Sequence, residues 1–444
     1  MTTPHRTPAR RLSLRTTILS ATLFLWAAGS QLASAETPAA AQEPPRSWID
    51  PDTGHRVIRL TSEPDSISFY FHDNSYTPDG KEMVYTTPAG ISAVNLATLA
   101  ARQVVTGPAS AIVVGRKTPT IYYTKPTANP LFSKFYATNI DTGATREIGD
   151  VPRRGAVFSV NVDETLAAGV YTEGDGIEYG QEAQNRKVDP SRSQNIAQAT
   201  NKRQMMIDRL ARHLPVDFYT MDLRTGQVKV ILHSTDWLDH VQFSPTDPTL
   251  IMYAHEGLWQ LVDRIWNIRA DGTQNRLMHR RIMEMEQVGH EWWSHDGKTI
   301  WYDLGFPRIS YPGGYNVGLV SYVAGYNLET GERTWYHKEP SEASLHFNSS
   351  PDGSLFCGDG SRAPGAQWIY LFRPERIRDE QTLGTGLIHP GFLHAERLVN
   401  MSKQNYLLEP NPSFTPDQRL VVFASNVFGP TYVFGVEVAK AAAP

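Results

Sequence analysis

Three histidines, an acid and an amide share one position in a repeated pattern. Counting back five residues from the turn proline or its equivalent at Pro78, Pro245, His295, Pro351 and Pro416 reaches Asp73, His240, His290, His346 and Asn411. Glu409 stands two residues before the last of these. A lone histidine at a strand start is ordinarily a satisfied structural residue. A set in one register is different, because a repeat architecture carries equivalent positions to one place. Imidazole, carboxylate and amide oxygen together suit a divalent ion such as Mn²⁺ or Ca²⁺ rather than a thiolate zinc site. An imidazole left unligated is a base near neutral pH. Two carboxylates such as Asp73 and Glu409, facing one another across a rim, would instead suit glycoside hydrolysis. No GxSxG elbow or Gly-rich phosphate loop points to a serine hydrolase or a nucleotide enzyme.

The elements that must position these residues repeat along the chain. Residues 73–87, 240–254, 290–304, 346–360 and 411–425 each read as an alternating run, a polar turn and a second apolar strand. Fainter copies occupy 109–125 and 158–174, which makes seven. Third strands with Asp/Glu-x-Gly turn chemistry recur between them, as in ATNIDTGATREI and YNLETGERTWYH. This spacing predicts an all-β fold, a seven-bladed β-propeller of four-stranded blades. The first strand of each blade lines the central channel, so its first residues gather at one mouth. Residues 175–215 interrupt the array, and the spacing of Met206, Ile207, Leu210 and Leu214 predicts a partly helical insertion, a flap over one face. Trp292 and Trp293 read as core rather than as sugar platforms.

Of the 444 residues, 40% are hydrophobic and 20% charged, enough to bury a large core, and the net charge of −4 gives no basic footprint for nucleic acid. A basic stretch, an apolar run and a small-x-small site over residues 1–35 predict a cleaved export leader, hence a periplasmic or secreted protein with no membrane span after cleavage. Residues 36–48 read as a disordered linker, leaving 49–440 for the propeller. The single cysteine, Cys357, excludes an internal disulfide and reads as a buried strand thiol.

AHEGLWQLVDRIWNIRADG (254–272), GHEWWSHDG (289–297), HFNSSPDGSLFCGDG (346–360) and EPNPSFTPDQ (409–418) resemble the oligogalacturonate lyase family of pectin-degrading propellers. The resemblance implies a seven-bladed propeller and a carbon–oxygen lyase. Such an enzyme cleaves uronic-acid oligosaccharides by β-elimination to 4,5-unsaturated products, with a divalent cation such as Mn²⁺. It implies that His240 is the catalytic base and that Arg212 enters the site, with Arg209 competing for that role. His290 matches a metal-binding histidine. Where the family carries a glutamine and two histidines, this chain has Tyr406, Glu409 and Asn411, so Glu409 and Asn411 are the remaining metal candidates. His346 completes the metal site or binds substrate. His255, Arg264 and Asp73 are candidate substrate contacts, and a monomer or dimer is expected. The repeat turns alone would fit a non-catalytic TolB-like binding propeller, and the carboxylate pair would fit a hydrolase.

Overall fold

Four of the seven repeats end their first strand on the same turn. Thr77 donates to Asp79, Ser294 to Asp296, Ser350 to Asp352 and Thr415 to Asp417, at 2.6–2.8 Å. These acceptor bonds hold carboxyls down: Asp79, facing the Lys81 amide, and Asp352, facing the Ser350 hydroxyl, both fall to about 2. The turn fixes where strand one stops and strand two begins, and so the register of the hairpin.

A computed structural model describes residues 43–172, 204, 206–309, 317–378 and 386–441. The expected leader lies outside the described residues, and so does the greater part of the expected insertion. Pro44–Pro444 is one compact unit. Its described strands form six sheets, five of them serving one repeat each and the sixth shared by two, antiparallel apart from one pairing. Glu82–Thr87, Gly90–Asn95 and Ala101–Thr106 make blade one, which Tyr76 joins by an isolated bridge to Met83. Blades two, three and four are the four-stranded sheets starting at Ser110–Val114, Gly155–Val160 and Leu238–Phe243. Blades five and six start at Gln287–Trp293 and Phe347–Ser349, and parallel pairing of Arg333–Lys338 with Ile388–Asn400 merges them into one eight-stranded sheet. Blade seven holds Ser413–Phe414, Leu420–Ser425 and Tyr432–Lys440, completed by Ser47–Ile49 and His55–Arg59. The fold is the seven-bladed β-propeller. Its linker boundary moves: residues 47–49, assigned in part to the disordered linker, are the outer strand of blade seven, paired with His55–Arg59.

The core lies between neighbouring blades. Ala168, Val170 and Phe218 of blade three pack with Phe243, Ile251 and Tyr253 of blade four, all buried. Trp292, Trp293 and Cys357 are buried too. Helix residues 206–212 carry Met206 into the same cluster, beside Trp237 and Leu238. Among the described residues no helix is long and apolar enough to cross a membrane.

Candidate active site

In blades four and five the inner strand is bulged where its histidine stands. The pairing steps from Asp239↔Ala254 to Gln242↔Met252, and from Gly289↔Asp303 to Trp292↔Trp301. His240 and His290 take left-handed backbone inside these bulges (φ +49 and +48), and Asn411 takes it at the equivalent place in blade seven (φ +51). A bulge re-aims a side chain that the pleat would otherwise send into a blade face. Gly289 is required beside His290, because a Cβ there would stand 2.7 Å from the Trp259 ring. Trp259 packs edge-on against His290 at 4.8 Å.

The rings of His290 and His346 meet at 4.7 Å. Each has its Nδ1 held by an aspartate 13 residues on: His290 by Asp303 and His346 by Asp359, both at 2.9 Å. A carboxylate only accepts, so Nδ1 carries the proton and each Nε2 keeps a lone pair. His346 Nε2 lies 3.8 Å from Glu409 Oε2. Asn411 donates its amide to the Glu409 carbonyl at 2.9 Å, while its side-chain oxygen is buried without a hydrogen-bond partner. Burial lowers the His290 pKa despite Asp303. For His346 burial acts the same way, but Asp359 and Glu409 outweigh it and the pKa rises.

His240 lies on the other side of Tyr70, whose ring is 5.8 Å from His240 and 5.2 Å from His346. Its Nε2 is 3.3 Å from Glu256 Oε2. Asp239, His240 and Glu256 bring ligand-type atoms within 4.8 Å of one another. The short segment ahead of blade one, Tyr70 to Asp73, thus supplies the middle of the site.

Several expected residues stand elsewhere. Arg264 is no open fork for a substrate carboxylate: it is buried, with Nη1 donating to Glu256 at 3.0 Å and Nε to Glu291 at 2.8 Å. Burial opposes its charge, and the two carboxylates more than restore it. His255 points away from His240, stacked on Trp266 at 4.8 Å and 3.2 Å from Asp236. It lines a cavity with Ile207, Leu210 and Asp263, which Glu256 lines as well. Arg212 is exposed, whereas Arg209 is buried and stacks on Trp237 with its guanidinium 3.8 Å from the ring centre. The two stand three residues apart near the end of the helix, and of the pair Arg209 is the one carried against the core. Asp73 Oδ1 sits 3.2 Å from His72 Nδ1. Tyr406 is core, donating its hydroxyl to the Asp359 carbonyl at 3.2 Å. His346, expected as a metal or substrate residue, is 1% exposed and belongs with His290.

Tyr70, His72, Asp303, Asp359 and the role of Glu256 were not singled out from the sequence. The two aspartates had a signal, the shared 13-residue offset from their histidines.

The oligogalacturonate lyase family model matches residues 45–442. The chain is 28% identical over 405 residues to an oligogalacturonide lyase of Pectobacterium atrosepticum and 26% identical to an oligogalacturonate lyase of Dickeya dadantii, with 86% of this chain and 93% of each relative covered. Among solved structures it resembles an oligogalacturonate lyase in complex with manganese at a TM-score of 0.67 and 22% identity, covering 89% of this chain and 96% of that one. An oligogalacturonate lyase from Vibrio parahaemolyticus superposes equally well, also at 0.67. With the family model spanning nearly the whole propeller, the chain belongs to the oligogalacturonate lyase family.

Proposed function

We propose that this carbon–oxygen lyase cleaves oligogalacturonates or closely related uronides by β-elimination, with His240 as general base. A divalent ion would be held by His290, His346, Asn411 and Glu409. The observation that carries the metal reading is the donor set itself. Two imidazoles lie 4.7 Å apart with both Nδ1 atoms anchored on aspartates, beside a buried amide oxygen that nothing satisfies. Neutral imidazole, carboxylate and amide oxygen fit a Mn²⁺-type ion. The Asp239–His240–Glu256 group is the weaker metal candidate, since Glu256 is already bonded to Arg264.

Bound there, the ion supplies positive charge beside the uronate carboxylate, which gathers negative charge as C5 loses its proton. His240 takes that proton. The C5–H electron pair becomes the C4=C5 bond, the C4–O4 bond breaks, and the departing O4 takes a proton from solvent. Tyr70, between His240 and His346, forms the floor on which the reacting ring is oriented. Arg209 at Trp237 offers a fixed cation on the blade-four side. The expected leader supports a periplasmic or secreted site of action, which cell fractionation of the full chain would check.

The test adds purified protein to di- and trigalacturonate and follows the ultraviolet absorbance of the conjugated unsaturated uronate, with Mn²⁺, with Ca²⁺ and with chelator. Signal that rises and is lost in chelator is expected. His240→Ala should lower turnover by a factor on the order of 10²–10⁴ while the fold is kept. Unchanged turnover would end the base assignment, and full activity in excess chelator would end the metal assignment.

A further inference from the structure

What His240 can do depends on what stands behind it. Glu256 Oε2 lies 3.3 Å from His240 Nε2 and also accepts from Arg264 Nη1 at 3.0 Å. Arg264 Nε donates in turn to Glu291 at 2.8 Å. The side chains of Glu256, Arg264 and Glu291 are 5%, 1% and 0% exposed. Two carboxylates thus share one guanidinium, and an imidazolium at His240 would set a second cation against Glu256. The other groups facing the ring are Asp239, whose carboxylate accepts His240's own backbone N–H at 2.8 Å, and the rings of Tyr70 and His72 at 5.8 and 6.1 Å.

We propose that Glu256 is the positioning residue of the base. It keeps the proton on His240 Nε2, leaves Nδ1 as the atom that takes the substrate's C5 proton, and balances the imidazolium that forms. The proposal rests on His240 being the base. In the step, the C5–H bond breaks and an N–H bond forms at Nδ1, while the electron pair passes into C4=C5. The C4–O4 pair leaves with O4, which is protonated by solvent, and the imidazolium then returns its proton to solvent. The Arg264 guanidinium, 3.0 Å from Glu256 Oε2, holds that carboxylate in place. Arg264 therefore acts at one remove, fixing the carboxylate that fixes the base. This accounts for a glutamate and an arginine eight residues apart, one just past the end of Leu250–His255 and the other just before Ile265–Arg269, both buried.

The test is Glu256→Gln, with kcat and KM followed across pH on trigalacturonate. Glu256→Gln takes away the anion beside the imidazolium that forms in the step. The acid limb of kcat/KM should move to lower pH. The plateau kcat should fall by a factor on the order of 10²–10⁴, with KM little changed. A fall in rate with the acid limb in its wild-type place would mean a merely structural glutamate and would overturn the proposal. Should Glu256→Gln fail to fold, nitrogen NMR of the wild-type His240 ring decides. The Nε2–H tautomer is expected, and Nδ1–H overturns the proposal. Failure of the base reading looks different, since it would show as turnover surviving His240→Ala.

Discussion

Left-handed backbone at a non-glycine residue costs roughly 1–2 kcal/mol, and His240, His290 and Asn411 all carry it at the same place in their blades. Strain that recurs in three blades, at the residues with the most chemistry, is strain the hairpins sustain in return for aim. Aim alone does not fix an imidazole, and Asp359 shows what does. Its Oδ1 accepts the backbone N–H groups of Leu345 and His346 at 2.9 and 2.8 Å, and its Oδ2 faces His346 Nδ1 at 2.9 Å. One carboxylate thus sets the backbone, the tautomer and the ring plane together. Asp359→Asn, nearly isosteric, should therefore weaken Mn²⁺ binding by about 10–100-fold, as loss of an outer-shell partner does elsewhere. Titration calorimetry with Mn²⁺ reads this directly, and an unchanged affinity would take His346 out of the metal site.

At the scale of the strand and loop, the hairpins were open to sequence reasoning and the pieces between them were not. The repeat turn dictates where strands end, so His240, His290, His346 and Asn411 could be aligned by counting. Tyr70 and His72 escape such counting because they precede blade one in a stretch with little regular pairing, Ile67 and Thr86 forming an isolated bridge. Arg264 was misjudged for a related reason: a charged residue just ahead of a strand looks exposed until its two carboxylate partners, one on the next blade, are known. The loop after blade four repeats the lesson. Glu286 is fully buried, 2.5 Å from His279 Nε2, and accepts the backbone N–H groups of Ile282 and Met283 at 2.7 and 3.3 Å. Burial pushes its pKa up, yet His279 and those amides prevail and hold it below the ordinary value. The folded carboxyl then binds its proton less tightly than the unfolded one, so unfolding takes up a proton as the medium turns acid. This stabilisation is complete above the unfolded value of about 4.3 and fades as pH falls through the folded value. Urea midpoints measured from pH 6 down to pH 3 should therefore drop more steeply for wild type than for Glu286→Gln. Parallel curves would mean that the loop is held by other bonds.

For the propeller as a whole, the site exists only because the ring closes. Its residues come from blades four to seven and from the segment leading into blade one, and no single blade holds both His240 and a second histidine of the cluster. Closure is made by the two ends of the unit. His55–Arg59 pairs with Tyr432–Lys440, Ser47–Ile49 pairs outside it, and His55 ties Nδ1 to the Glu437 carbonyl at 2.9 Å. Val57 from the early strand is fully buried with Val421, Phe434 and Val436 of the late ones. A chain beginning at Pro44 keeps all of this, whereas one beginning at Leu60 loses both early strands and bares the flank of Tyr432–Lys440. The longer chain should match the full one in melting temperature and Mn²⁺ affinity. The shorter should melt far lower and bind Mn²⁺ weakly, since Asn411 and Glu409 belong to the blade left incomplete. If the shorter chain melted early but bound Mn²⁺ as before, the metal site would be a local property of blades five and six. Glu409 and Asn411 would then lose their place as ligands.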